Sequence, residues 1–419
     1  MSTGDPVMLP ASIIATGPVT LNHIESARRR IGESVYLTPC PQSHDLSELL
    51  GGSVYLKLES LQRTGAYKER GALNKLLTLS PEERTRGLVT ASAGNHAQAL
   101  AYHAARLGLN ARIWMPLTTP LVKVVASRQY GAEVILHGMT FDESFLAASQ
   151  YSRKHGCTFI HPFDDHEVIA GQGTLALELL EQVPSLQVVI VPVGGGGLIS
   201  GMAVALKGLN PAIQVLGVQS AAFPSMVSAV RNTRPVTLQP ASTIADGIAV
   251  RCAGEKTLPL IQQYVDDLLV VDEEEIANAV LFLLEREKTL AEGAGATALA
   301  ALLYRKAKCD GKVAAVIVSG GNMDVTLLAR IIERGLVKDG RLLRLRISLP
   351  DHPGALHRLT EVIASHQGNI VETSYHRAFH GASLGQEVID LTMETRGCSH
   401  SDAITTALAN CGYGYERIV

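Results

Sequence analysis

From about Val54 to Asp324, short apolar runs alternate with segments whose apolar residues recur every three or four positions. That alternation predicts an α/β fold with a largely parallel sheet. In one unit, Gly87-Leu-Val-Thr-Ala-Ser-Ala-Gly94 precedes a helix over about Asn95 to Leu107. Leu100, Ala101, Ala104 and Leu107 share one face of it, and Gly108 provides a C-terminal stop. In a second unit, Val188–Val193 leads through four glycines into a helix on which Leu198, Met202 and Leu206 stack. In a third, Val313–Val318 runs into Ser319-Gly-Gly-Asn322. All three place small residues where a strand ends, which is where open α/β sheets bind their ligands.

Near Arg341 the period changes. Leu343, Leu345, Ile347 and Leu349 alternate with Arg344, Arg346 and Ser348, the pattern of a half-buried strand. Asp351-His-Pro-Gly-Ala355 turns into a helix carrying Leu356, Leu359, Val362 and Ile363, which Gly368 ends. Strands over about Asn369–His376 and Gln386–Glu394, a helix over Asp402–Asn410 and a short strand over Tyr413–Ile418 complete a βαββαβ order. This ferredoxin-like succession predicts a separate small domain over 342–419. A linker is expected over 335–341, around Lys338 and Asp339.

Composition narrows the function classes. The 419 residues are 46% hydrophobic and 18% charged, an ordinary globular balance, and the net charge is −3. Near-neutrality argues against nucleic acid as a main partner while leaving room for a local anion site. No apolar run approaches the about 18 residues of a membrane span, and Met1 to Asn22 lacks a secretory pattern. Cys40, Cys157, Cys252, Cys309, Cys398 and Cys411 form no CxxC pair, so reduced thiols and a cytoplasmic location are expected. Cys398, His400 and Cys411 have poor spacing for a metal, and no metal site is expected. Glycine, at 38 residues, is the unusual term.

Two features carry chemistry. Gly194–Gly197, between a buried strand and a helix, allows consecutive backbone N–H groups to turn toward one oxyanion at a helix N-terminus. No Gly-Lys-Ser/Thr follows, so it is not a P-loop, and Gln219 stands where a dinucleotide site would carry a ribose-binding acid. A simple tight turn is the alternative. Lys68 lies in Gln62-Arg-Thr-Gly-Ala-Tyr-Lys-Glu-Arg-Gly71, just ahead of a helix with Leu73, Leu76 and Leu77 inward. Alone it reads as a surface charge; its small, weakly charged surroundings also suit a desolvated, reactive amine.

Taken with Ser92-Ala-Gly-Asn-His-Ala-Gln98, Thr243-Ile-Ala-Asp-Gly247 and Ser319-Gly-Gly-Asn322, these segments resemble the fold-type II pyridoxal-phosphate enzymes, in particular the serine/threonine dehydratases. The resemblance runs from about Glu33 to Leu336, and the C-terminal segment resembles an ACT domain. It implies a two-domain catalytic core of the tryptophan synthase β type over 1–334, with a smaller subdomain inserted at about 81–160. It also implies pyridoxal 5'-phosphate as cofactor and Lys68 as the Schiff-base lysine and catalytic residue. By the same likeness Gly194, Gly195, Gly196, Gly197 and Leu198 form the phosphate cup, Asn95 meets the phenolic oxygen and Ser319 meets the pyridine nitrogen. The substrate carboxylate would fall to Ser92, Ala93, Gly94, Asn95 and His96.

A serine rather than a carboxylate at the ring nitrogen favours direct β-elimination over transamination. The implied reaction converts L-threonine, and L-serine, to a 2-oxo acid and ammonia. Ala93 stands where related racemases carry a serine, which disfavours racemisation, and Gln219 replaces a metal-binding carboxylate of those relatives. Tyr67 replaces the usual Phe. Asp246 is expected to be structural, His161-Pro-Phe-Asp-Asp-His166 a polar loop, and Glu273 the acidic first turn of a helix. Glu292 reads equally as a substrate-side group or as packing. Competing classes are a lyase or replacement enzyme for 3-hydroxyaspartate or O-substituted serine, and an inactive amino-acid sensor. An amino-acid effector would bind at Asp351, Gly354, Ala355 and Leu356 with Asn369 and Ile370, in a homodimer or homotetramer.

Overall fold

The computed structural model describes residues 18–376 and 385–418. It divides into two compact units: residues up to Ala279 together with Arg286–Asn322, and Val280–Glu285 with Met323–Val419.

The first unit contains two sheets. The larger has six strands in the order Gln42–Ser43, Ser53–Leu58, Val313–Val318, Val188–Pro192, Gln214–Ser220 and Asp267–Val271. Every pairing is parallel except that of the first short strand. Val188–Pro192 is buried at every position and Val313–Val318 at all but the first, so these central strands read as continuous apolar runs rather than alternating ones. The smaller sheet is wholly parallel, ordered Glu133–Leu136, Ala111–Met115, Leu88–Ala91 and Thr158–Phe159.

Part of the glycine surplus brings helices together. A side chain on Gly71 of the helix Lys68–Leu77 would meet Val168 O and Gln172 of the helix His166–Gln182, and one on Gly171 would meet Arg70 O and Gly71 Cα. Gly173 and Gly201 oppose each other in the same way against the helix Gly197–Leu209. These close approaches fix the helix bearing Lys68 relative to the helix that follows the tetraglycine.

In the second unit, Leu342–Pro350, Asn369–His376, Gln386–Glu394 and Tyr415–Arg417 form an antiparallel sheet with Gln386–Glu394 and Leu342–Pro350 central. The helices Ala355–Ser365 and Cys398–Asn410 complete βαββαβ, and Leu345, Ile347, Leu349, Leu359, Ile363 and Ile404 share its core. The expected linker is corrected here: the helix Val325–Lys338 runs through it, leaving only a turn at Asp339–Gly340. Gly335 is required for packing rather than for chain breaking, because a Cβ there would run into Leu281. Among the described residues no helix is long and apolar enough to cross a membrane, and no group of three or more His, Cys, Asp or Glu is placed to hold a metal.

Candidate active site

Three adjacent strands of the large sheet deliver the site. Val313–Val318, flanked by Ser53–Leu58 and Val188–Pro192, ends at Ser319; its neighbours lead into the Lys68 loop and the tetraglycine. Leu88–Ala91 of the small sheet supplies the loop Ser92–Gly94 and the helix Asn95–Arg106. Main-chain bonds tie the segments together: Tyr67 N donates to Ser319 O (3.1 Å), Gly321 N to Gly65 O (2.9 Å) and Glu292 N to Gly320 O (3.1 Å).

The tetraglycine is a cradle of donors. Among the described residues nothing accepts from the N–H groups of Gly194, Gly195, Gly196, Gly197 or Leu198. The directions in which side chains would project are filled: Gly195 and Gly197 lie against Phe163, and Gly196 (φ +98°) against Met226, Ile261 and Thr257. Asp164, next to Phe163, holds the segment at Glu255–Thr257, its carboxylate accepting from Lys256 N (2.9 Å), Glu255 N (3.1 Å) and Thr257 N (3.2 Å), while Thr257 Oγ1 donates to Gly195 O (2.7 Å). Gly195→Ala drives a methyl into the Phe163 ring; a cost of about 1–3 kcal/mol is expected at such an overpacked position. Titration of cofactor into the folded variant checks the expected loss of about tenfold or more in affinity.

Lys68 opens its helix. Its half-buried amine donates to Pro162 O (2.8 Å) and stands 5.2 Å from the Tyr67 ring centre. Burial lowers its pKa from 10.5 to about 8, against the opposing pull of Glu292. Tyr67 packs against the main core, and burial with the Glu292 charge raises its phenol well above the ordinary value, so the ring acts as an uncharged wall. Ser319 Oγ is buried, with a long 3.5 Å donation to Ala294 O.

At the start of the helix Asn95–Arg106, the N–H groups of Ala93, Asn95 and His96 donate to nothing among the described residues, and no atom lies within 4 Å of the side-chain direction of Gly94. This helix end is open and electropositive, suited to a carboxylate. Ser92 Oγ accepts from Gly94 N (3.3 Å), shaping the loop. Ala93 packs its methyl on the core that includes Leu100, Ile113 and Ile160. The His96 side chain is buried, with Nε2 3.3 Å from Ile160 O, and burial lowers its pKa to about 3; only its main chain is available at the open helix end.

Further side chains take up places that the sequence alone left open or, for the Asn322 contacts, did not suggest. Glu292 Oε1 accepts from Asn95 Nδ2 at 2.6 Å; burial and the charge of Asp246 push its carboxyl up to about 7. Asn322 Nδ2 donates to Asn95 Oδ1 (2.8 Å) and to Thr64 O (2.7 Å). Glu273 does more than start a helix: it accepts from Ser220 Oγ (3.0 Å), Thr243 Oγ1 (2.7 Å) and Ile244 N (2.6 Å), holding the segment that carries Asp246 and Gly247. Asp246 pairs with Lys123. Gln219 Oε1 accepts from Met226 N (2.9 Å) and Val227 N (3.0 Å), and its Nε2 donates to Val193 O (3.2 Å). His161 Nδ1 accepts from Asp164 N (2.8 Å), so that loop is capped by its own histidine.

In the second unit, Gly354 (φ +84°) caps the helix that begins at Ala355; Ala355 is buried and Leu356 is exposed. Asp351 N donates to Gly385 O (2.9 Å), and Asn369 Nδ2 to Glu394 Oε2 (2.9 Å), one residue before Ile370.

Residues 31–320 match the family described as "Pyridoxal-phosphate dependent enzyme", and the chain belongs to that family. Among individual relatives, the L-threonine ammonia-lyase of Thermotoga maritima is 46% identical over 395 residues, covering 94% of this chain and 98% of that protein. The solved threonine deaminase isoform 2 of Solanum lycopersicum matches at TM-score 0.72 and 36% identity, covering 78% of this chain and 93% of its own. The serine racemase of Dictyostelium discoideum matches at TM-score 0.68 and 39% identity, with 73% and 99% covered. The residues present fit the family's cofactor. Five unpaired main-chain donors suit a phosphate ester, the lowered-pKa amine suits a carbonyl, and the buried Ser319 hydroxyl suits a neutral ring nitrogen.

Proposed function

We propose that this chain is an L-threonine ammonia-lyase, also acting on L-serine, that converts threonine to 2-oxobutanoate and ammonia. The single observation that carries the reading is the gathering of Lys68, Asn95, Ser319 and the tetraglycine donors about strand ends and loops of one unit. The activities named for the similar proteins point the same way.

Gly194–Leu198 would hold the phosphate, Lys68 the carbonyl carbon, Asn95 the phenolic oxygen and Ser319 the ring nitrogen. When bound, pyridoxal phosphate supplies an electron sink for charge developing at the substrate Cα. The N–H groups at the start of the helix Asn95–Arg106 orient the substrate carboxylate. The Lys68 amine, largely deprotonated above about pH 8, takes the Cα proton. Ser319 donates or accepts one hydrogen bond without adding charge, so the negative charge at Cα is short-lived and departure of the β-hydroxyl outcompetes reprotonation. Ala93 offers no second acid or base, which supports elimination over racemisation. Water lost from Cα and Cβ is regained when the imino product hydrolyses, leaving ammonia and the 2-oxo acid.

The second unit is assigned, as part of this proposal, to an ACT-type effector role in a homo-oligomer. The Thermotoga match covers 94% of the chain and so extends through most of that unit. The test is release of 2-oxo acid from L-threonine, L-serine, 3-hydroxyaspartate and O-substituted serine by protein loaded with pyridoxal phosphate. Threonine should give the highest kcat/KM. Activity confined to another member of the panel, or none with full cofactor uptake, would overturn the reading.

A further inference from the structure

We infer that Asn322 is a positioning residue that fixes which end of the Asn95 amide faces Glu292 and the cofactor; this rests on the function proposed above. Asn95 and Asn322 form a chain of amides running from Thr64 O to Glu292. An amide has a donor end and an acceptor end of nearly the same shape, so its orientation is decided by its partners. Thr64 O, a main-chain carbonyl, only accepts. It therefore holds the NH₂ of Asn322 toward itself at 2.7 Å, and the same NH₂ faces Asn95 Oδ1 at 2.8 Å. Asn95 is left with its own NH₂ toward Glu292 Oε1 at 2.6 Å, and with one further N–H to give.

Turning Asn95 over would set its NH₂ against the NH₂ of Asn322, donor against donor, whatever the protonation of Glu292. Turning both amides over would set Asn322 Oδ1 against Thr64 O. One polarity is self-consistent, and an immobile backbone atom dictates it.

The surroundings are shaped for the chain. A side chain on Gly65, which has φ +76°, would collide with the Asn322 amide, and one on Gly320 would collide with Glu292 Oε1 and lie 3.1 Å from Asn95 Nδ2. The charged groups facing Glu292 are Lys68, Asp246 and Lys123. Asp246 is itself paired with Lys123. The hydrogen bonds of the Asn322 amide go to Thr64 O and Asn95 Oδ1, so its influence on the site runs through Asn95.

Asn322→Asp removes both donations while keeping the shape. Asn95 then turns its NH₂ toward the new carboxylate and presents Oδ1 to Glu292. The holoenzyme should still take up cofactor, because the tetraglycine cradle is untouched. Its visible absorbance band and the pH dependence of that band should shift, with kcat for threonine falling about tenfold or more and KM changing less. Glu292→Gln should lower activity alone and, by offering an NH₂ to the turned Asn95, add less than its own separate effect when combined with Asn322→Asp. Should Asn322→Asp not fold, Asn322→Ser, which is smaller and cannot reach both acceptors, is read in the same way. An unchanged spectrum and pH profile in the folded variant, or strict additivity with Glu292→Gln, overturns the inference. Wild-type protein that forms no lysine-bound cofactor band overturns the functional reading instead, so the two failures are distinct.

Discussion

Lys68→Ala is expected to lower threonine dehydratase turnover by at least about 10³-fold, since it removes a nucleophile and a general base together. The protein should remain folded: alanine favours the helix that Lys68 begins, and the buried partners of Arg70 two residues later are untouched. Cofactor should still bind through the Gly194–Leu198 donors, more weakly and without the visible band of a lysine-bound carbonyl. Lys68→Arg separates charge from chemistry, because a guanidinium in this site keeps the positive charge and cannot deprotonate. It should be as inactive as alanine. In the wild type, burial places the amine near pH 8, so its capture of cofactor by the apoprotein should quicken as pH rises through that value. Turnover of Lys68→Ala within about tenfold of wild type would remove this residue from the chemistry.

The parts of the site that were legible in the sequence are those whose chemistry lies in consecutive residues. Four glycines between a β-run and a helical period encode a set of main-chain donors, and the structure leaves those donors unpaired. What stayed illegible depends on side chains meeting across long stretches of chain. Asn95 and Glu292 are 197 positions apart, Asn322 and Thr64 are 258 apart, and Asp164 caps a loop some 90 residues away. Periodicity carries no information about such pairs.

Glycines that serve packing mislead in the same way. Gly335 reads as a chain break, yet it lies inside a helix because Leu281 leaves no room for a Cβ. Gln219 illustrates the reverse case. Its residue type alone shows an amide where a metal site would need a carboxylate, but not that both of its ends join a strand end to the following helix. In the second unit, alternation is plainest in Leu342–Pro350, where every second residue is buried, whereas Gln386–Glu394 is buried on both faces.

Arg70→Met is expected to produce the largest loss of stability, about 3–5 kcal/mol at neutral pH, because it leaves buried carboxylates without their main counter-charge. Arg70 is fully buried and donates to both oxygens of Glu59 (2.8 Å each) and of Glu178 (2.7 and 2.8 Å). Lys57 contributes a second buried cation to Glu178 at 3.0 Å, whereas the Glu59 carboxylate keeps, among the described residues, hydrogen bonds from Thr38 and Gln62 and the more distant charge of Lys57 once Arg70 is removed. Burial by itself would push the Glu59 carboxyl up; the paired guanidinium more than offsets this and holds it below the ordinary value.

The sign of the pH dependence follows. In the wild type, Glu59 contributes stability above its unfolded pKa of about 4.3, and this is lost as pH falls through the lower folded value. In Arg70→Met burial prevails, the folded pKa rises above the unfolded one, and acid relieves the unpaired charge. Urea unfolding at neutral pH and near pH 4.5 should therefore show the gap between the two proteins widest at neutrality and narrowing in acid. Glu59→Gln in the Arg70→Met background should recover part of the loss, because a neutral buried amide costs less than an unpaired carboxylate. A neutral-pH difference below about 1 kcal/mol would mean that the pair gains little over its own desolvation. The helix bearing Lys68 would then be held by the Gly71–Gly171 packing instead.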